Sequence, residues 1–190
     1  MTDKPYGTHR TYPEESVEDS WYEDDCGRCL GRGVKTEFQD MHETLTKQIQ
    51  LDKDEDKGPD GMFVLSQKTS SLLVEYFTVG SAIIEERCVE LLFRELVKED
   101  RQSKSARSFF ERNIQQRHRE ELLYRCGIID SGFKGKMKKV RNERNHLVHN
   151  LDERLYVDKN GETVENIEKA LTVVEDLSTE FFKQKYSGNS

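Results

Sequence analysis

The sequence contains no apolar run long enough to cross a lipid bilayer. Its first residues, Met1-Thr2-Asp3-Lys4, do not have the pattern of a secretory signal peptide. Cysteine is also scarce: Cys26 and Cys29 form a close pair, while Cys88 and Cys126 stand alone. This spacing excludes the disulfide framework of a small secreted domain. We therefore expect a cytoplasmic chain that has no membrane partner.

Positive charge is not in excess either. The 190 residues include 30 lysines and arginines against 37 aspartates and glutamates, which gives a formal net charge of −7. An acidic surface repels a polyanion, so an affinity for nucleic acid over the whole surface is excluded. Any contact with RNA or DNA must come from a local basic patch.

The N-terminal third of the chain is short of apolar residues that can form a core. Residues 1–33 contain Pro5, Pro13, several glycines and an acidic run, and they lack hydrophobic periodicity. They are predicted to form a largely disordered acidic tail. Residues 34–61 are predicted to form a helix and a linker, and residues 62–186 the folded domain.

The segment from Cys26 to Gly33 has the form C-x-x-C-x-G-x-G. Two thiolates at this spacing can occupy two corners of a tetrahedral structural zinc site. The form is similar to one repeat of the cysteine-rich region of DnaJ-type chaperones, in which paired repeats complete each zinc site. This chain has a single repeat, so Cys26 and Cys29 would need His9, His42, a helical cysteine or a second chain as further ligands. The alternative is a reduced pair without metal.

From residue 62 onward the apolar residues recur at helical spacing. The pattern predicts a long helix over about 63–98, one bent or two short helices up to Gly127, a helix over about 133–148 and a last helix over about 163–186. The small residues Gly80-Ser81-Ala82 allow another helix to approach closely. Short connections between these helices favour an all-α, antiparallel bundle of four to five helices.

Arg144-Asn145-His146-Leu147-Val148-His149 is the most informative stretch of the chain, and we call it the hexad. On a helix, Asn145 and His149 are four residues apart and share one face. Arg144 falls near the centre of the apolar stripe, where a cation needs a carboxylate partner or an opening to water. We therefore expect arginine, amide and imidazole to converge on one small anionic group.

A basic stretch surrounds the hexad. The cations between residues 134 and 144 are Lys134, Lys136, Lys138, Lys139, Arg141 and Arg144. Glu143 is the one acidic residue among them. A stretch of this kind is often an ordinary exposed helix face, but its coincidence with the hexad favours contact with phosphate groups.

The run R-N-H-L-V-H-N, together with the order of the predicted helices, resembles the HEPN superfamily (higher eukaryotes and prokaryotes nucleotide-binding), whose signature is R-x(4–6)-H. The resemblance covers residues 62–186. It implies an HEPN-like bundle and a metal-independent endoribonuclease that works as a homodimer and leaves 2′,3′-cyclic phosphate ends. It implies further that His149 is the general acid or base, that Arg144 stabilises charge on the phosphate and that Asn145 orients the pair. A toxin or defence RNase with an antitoxin protein as partner fits this resemblance.

A second frame of the signature overlaps the first. Arg141, Asn142 and His146 satisfy the same pattern three residues earlier. We prefer the later frame, because it places its arginine centrally on the apolar stripe and has Leu-Val before the histidine.

Two other functions stay open. Some HEPN domains bind nucleotides, RNA or a protein partner without catalysis. In the other alternative, the Cys26/Cys29 pair is the working part of a zinc-dependent interaction module. RNA cleavage of the HEPN type would require no cofactor.

Overall fold

The computed structural model describes residues 25–55, 62–150, 156–158 and 161–178, with side chains in 35–55, 63–150 and 161–178. The elements of these segments are α1 (Asp25–Glu55), β1 (Met62–Val64), α2 (Gln67–Leu96), α3 (Lys104–Asn113), α4 (Gln116–Arg125), α5 (Ser131–His149), β2 (Tyr156–Asp158) and α6 (Glu162–Ser178). The predicted all-α bundle is confirmed. No helix in the described segments is long and apolar enough to cross a membrane.

Contacts of α1 show how α1, α2 and α6 run relative to one another. Phe38 of α1 lies against Gly80 of α2, and Asp52 accepts a hydrogen bond from the Ser66 backbone at 2.8 Å, just before α2 begins. Since the later residue of α1 meets the earlier part of α2, the two helices are antiparallel. Two further side-chain hydrogen bonds make α1 and α6 antiparallel: His42 with Glu168 at 3.0 Å, and Gln39 with Glu175 at 2.5 Å.

Helix α5 completes an up-down-up-down arrangement of the four long helices. Glu143 of α5 accepts hydrogen bonds from Thr163 and Asn166 at the start of α6. Lys136, two turns earlier on α5, acts electrostatically on Asp176 near the end of α6. Helices α5 and α6 are therefore antiparallel, while α3 and α4 pack on α2 at the side of the bundle.

Tyr76 lies at the centre of the contact between α1, α2 and α6. Its ring is fully buried and stacks on the ring of Phe38, with 4.4 Å between the centroids. Its hydroxyl donates to the Ile167 carbonyl at 3.0 Å. Burial, together with Glu168 and Glu175, raises the pKa of Tyr76 well above its usual range, so the phenol stays a donor.

Helix α2 begins at Gln67, so the prediction of a helix from residue 63 was wrong at its start. Phe63 and Leu65 are buried while Val64 between them is 38% exposed, and this alternation is typical of a strand. The strand β1 pairs antiparallel with β2. Ser66 then caps α2, because its side chain accepts a hydrogen bond from the Thr69 backbone.

Helix α1 begins at Asp25, although residues 25–33 were predicted to belong to the tail. The glycines of this segment weakened its helical pattern, yet Leu30, Val34 and Phe38 continue a spacing of four residues. An aspartate at the first position also interacts favourably with the helix dipole. The rest of the predicted tail, residues 1–24, lies outside the described residues, as does the predicted end of the last helix after Ser178.

The predicted close approach at Gly80 is confirmed, and it gives a test of the packing. A Cβ atom at Gly80 would lie 2.9 Å from the tip of the Phe38 ring. Since that ring is stacked on Tyr76, we expect Gly80→Val to lower the free energy of unfolding by about 1–3 kcal/mol, measured by urea denaturation.

Gly135 provides the matched control, because a Cβ atom there would meet no other atom within 4 Å. Gly135→Val should change the free energy of unfolding by less than about 0.5 kcal/mol. Equal effects of the two substitutions would show that the contact with Phe38 does not limit the size of the side chain at residue 80.

Candidate active site

The hexad occupies the C-terminal turns of α5. The helix begins after Asp130, whose carboxylate accepts a hydrogen bond from the Phe133 backbone at 2.7 Å, and it ends at His149. Its buried residues are Met137, Val140 and Leu147. Its exposed polar residues near the C-terminus are Asn142, Asn145, His146 and His149, and we call these four the outward face. Asn145 and His149 therefore share a surface that is open to solvent.

Arg144 is only partly buried, although it falls on the apolar stripe of α5. Its side chain is half-buried, and one guanidinium nitrogen donates to Asn145 Oδ1 at 3.1 Å. No carboxylate among the described side chains forms an ion pair with it.

Arg141 is the cation that has a buried carboxylate partner. Its guanidinium lies 2.5 Å from Glu120 of α4, and the side chain of Glu120 is only 4% exposed. Gln116 also donates to Glu120, at 3.3 Å. Burial raises the pKa of Glu120, although Arg141 and Gln116 act in the opposite direction.

The arginines of the two overlapping frames therefore have different environments. Arg141, the arginine of the earlier frame, is held against α4, whereas Arg144 is hydrogen-bonded to its own neighbour. His146, the histidine of the earlier frame, has a partner as well, since the Asn150 side-chain amide lies 2.8 Å from its Nδ1.

The basic stretch is divided between two sides of α5. On the α4 side, Lys134 lies 2.7 Å from Glu121 and 4.3 Å from the centre of the Tyr124 ring. On the α6 side, Lys139 helps to lower the pKa of Glu165, after the larger effect of Lys169. Lys136 opposes the raised pKa that burial gives Asp176, and Lys138 is exposed. The predicted RNA-binding cations therefore do not form one continuous surface.

Glu143 faces away from the outward face toward α6. One carboxylate oxygen accepts from the Asn166 amide at 2.8 Å, and the other accepts from the Thr163 hydroxyl at 3.2 Å. Asn166 is itself buried, with 3% of its surface exposed. The one acidic residue of the basic stretch thus joins α5 to the first turns of α6.

The proposed zinc ligands are only partly described. Cys26 and Cys29 lie near the start of α1, but their side chains are outside the described residues. His42 is hydrogen-bonded to Glu168. Cys88 is buried, and burial raises the pKa of its thiol to about 12, which disfavours the thiolate that a metal requires. The described side chains contain no group of three or more potential metal ligands.

Sequence reasoning missed the roles of Glu120 and Glu143 because each depends on a partner in another helix. A signal was present for both: Glu120 lies three residues before Leu123 on the inner side of α4, and Glu143 is the single acid in a basic stretch. Comparisons of the chain with protein-family models, with curated proteins and with solved structures find no match.

The Glu120–Arg141 pair can be tested by a double-mutant cycle. Glu120→Met leaves the Arg141 cation without its carboxylate, so we expect the free energy of unfolding to fall by about 2–3 kcal/mol. Glu120→Met/Arg141→Met should recover at least half of that loss, because the two apolar side chains can pack together. Additive losses in the double variant would show that the two groups do not interact.

The raised pKa of Glu120 has a consequence for the pH dependence of stability. The folded state holds this proton more tightly than the unfolded state, whose reference pKa is 4.5. The stabilising contribution is therefore present below pH 4.5 and is lost as the pH rises through the folded-state pKa. The free energy of unfolding, measured by urea denaturation from below pH 4.5 upward, should show this loss in the wild type and not in Glu120→Met/Arg141→Met. Parallel plots of the free energy against pH for the two proteins would contradict the raised pKa.

Proposed function

We propose that this chain is a metal-independent endoribonuclease of the HEPN type that acts as a homodimer. The observation that carries the proposal is the arrangement of Arg144, Asn145 and His149 at the end of α5. Asn145 and His149 are exposed, and Arg144 is half-buried and hydrogen-bonded to Asn145. The guanidinium is hydrogen-bonded to the amide, and the amide and the imidazole lie on one exposed face of the same helix end, where we propose that the three groups bind one phosphate.

In the proposed reaction the 2′-oxygen of RNA attacks the adjacent phosphorus atom. The 2′-O–P bond forms, the P–O5′ bond breaks, and a 2′,3′-cyclic phosphate and a 5′-hydroxyl result. His149 accepts the proton of the 2′-hydroxyl, and the histidine of a second copy gives a proton to the leaving 5′-oxygen. Arg144 stabilises the negative charge on the phosphate oxygens, and Asn145 holds the guanidinium in place.

A homodimer is proposed because the resemblance to HEPN domains implies one, in which the His149 residues of two copies supply the base and the acid. Val148 supports a contact at this position, since this apolar side chain lies within the hexad and is 37% exposed. A role as a toxin or defence RNase, with an antitoxin as partner, would follow from this activity.

The second candidate is a non-catalytic dimer that binds a nucleotide or a protein partner. The paired cations of the basic stretch favour it, because Lys134 and Arg141 contact carboxylates and are less available to a long RNA backbone. The two candidates differ in one observable, which is cleavage of RNA.

We expect the purified chain to cleave RNA in the presence of EDTA, and His149→Ala to reduce kcat by about 10²- to 10⁴-fold through loss of general acid–base catalysis. Arg144→Ala should reduce kcat by about 10²- to 10³-fold through loss of charge stabilisation. Cleavage is measured on a labelled RNA, and the ends are identified by mass spectrometry.

Two exposed residues of α4 serve as matched controls for these substitutions. His118→Ala and Arg117→Ala remove the same side chains outside the hexad and should leave the rate unchanged. Activity that is lost in His146→Ala and kept in His149→Ala would assign catalysis to the earlier frame. A folded dimer that cleaves none of a varied set of RNAs would exclude the enzyme and favour the binding module.

A further inference from the structure

The two flanks of α5 are both held by glutamates, on either side of the residues proposed to act on RNA. Residues two apart in an α-helix point about 200° apart, so Arg141 and Glu143 lie on nearly opposite sides of α5. Arg141 is paired with Glu120 of α4, and Glu143 accepts hydrogen bonds from Thr163 and Asn166 of α6. The helix is therefore fixed against rotation about its own axis close to the hexad.

Rotation about that axis matters because both candidate histidines and both candidate asparagines are on the outward face. Neighbouring residues on a helix differ by about 100° in direction. The residues of the hexad turn together with α5, so a rotation of the helix would change the direction in which all of them face a bound RNA or a second copy. The side-chain contacts on the two flanks thus determine the direction in which the hexad is presented.

We propose that Glu143 is a positioning residue for the hexad, an inference that rests on the proposed ribonuclease function. Its carboxylate is directed to α6, so it acts on the phosphate site only through the orientation of α5. Glu143 is the more informative of the two glutamates, because the loss of Glu120 would also leave a largely buried arginine unpaired. Loss of Glu143 removes two hydrogen bonds and leaves no cation behind.

Three variants separate positioning from charge. Glu143→Ala removes both acceptors, Glu143→Gln keeps the shape and one oxygen acceptor, and Thr163→Val removes only the longer hydrogen bond. Glu162→Ala is the control for charge, since it removes an exposed acidic residue from the first turn of α6.

The experiment combines steady-state RNA cleavage, below the unfolding temperature of every variant, with amide hydrogen exchange. Glu143→Ala should lower kcat about tenfold, with KM changed less than about twofold, since the loss of hydrogen-bonded orientation affects the transition state. Glu143→Gln should restore most of kcat, Thr163→Val should have a smaller effect, and Glu162→Ala should have none. Exchange in Glu143→Ala should accelerate in residues 141–149 but not in α1 or α2.

An unchanged kcat in Glu143→Ala would overturn the proposal, as would accelerated exchange spread evenly over α1, α2, α5 and α6, which indicates a general stabilising role. A loss of kcat that Glu143→Gln does not restore would also overturn it. If the wild type cleaves no RNA, the ribonuclease proposal fails by itself. The exchange experiment then still decides whether Glu143 orients the end of α5.

Discussion

The central physical constraint is the need to give the charged side chains of α5 polar partners while one side of that helix packs in the core. Met137, Val140 and Leu147 are buried, yet Arg141 and Glu143 lie between them in sequence. An unpaired charge at such a boundary is strongly unfavourable. Each is therefore satisfied by a neighbouring helix, Arg141 by Glu120 of α4 and Glu143 by Asn166 of α6.

This arrangement leaves Arg144 with a different environment from Arg141, although the sequence places both in the same basic stretch. Arg141 forms an ion pair with Glu120 of α4, whereas Arg144 is half-buried and hydrogen-bonded to Asn145. The proposed chemistry needs a cation that is oriented but still available to a phosphate, and Arg144 meets both requirements. The later frame was preferred in the sequence because Arg144 falls on the apolar stripe. The structure adds a second reason, which is that Arg141 of the earlier frame is paired with Glu120.

The helical class and the positions of most helices follow from apolar spacing, because a buried helix face must repeat every three to four residues. The close approach at Gly80 could also be predicted, since it needs only small side chains. The start of α2 was misplaced because Phe63 and Leu65 suit either a strand or a helix until Ser66 caps the latter. The partners of Arg141 and Glu143 could not be predicted, since pairing across helices depends on how the bundle packs.

The most direct test of the account is nuclear magnetic resonance of the full chain with an RNA analogue. The analogue cannot be cleaved because its 2′-hydroxyl groups are blocked by methylation. Signals of the Arg144 guanidinium, the Arg141 guanidinium and the His149 and His146 imidazoles are assigned from single variants and followed during titration. The account predicts that the Arg144 and His149 signals shift together, while the Arg141 signal stays in place. A shift of the Arg141 and His146 signals, or no shift of any of them, would contradict it.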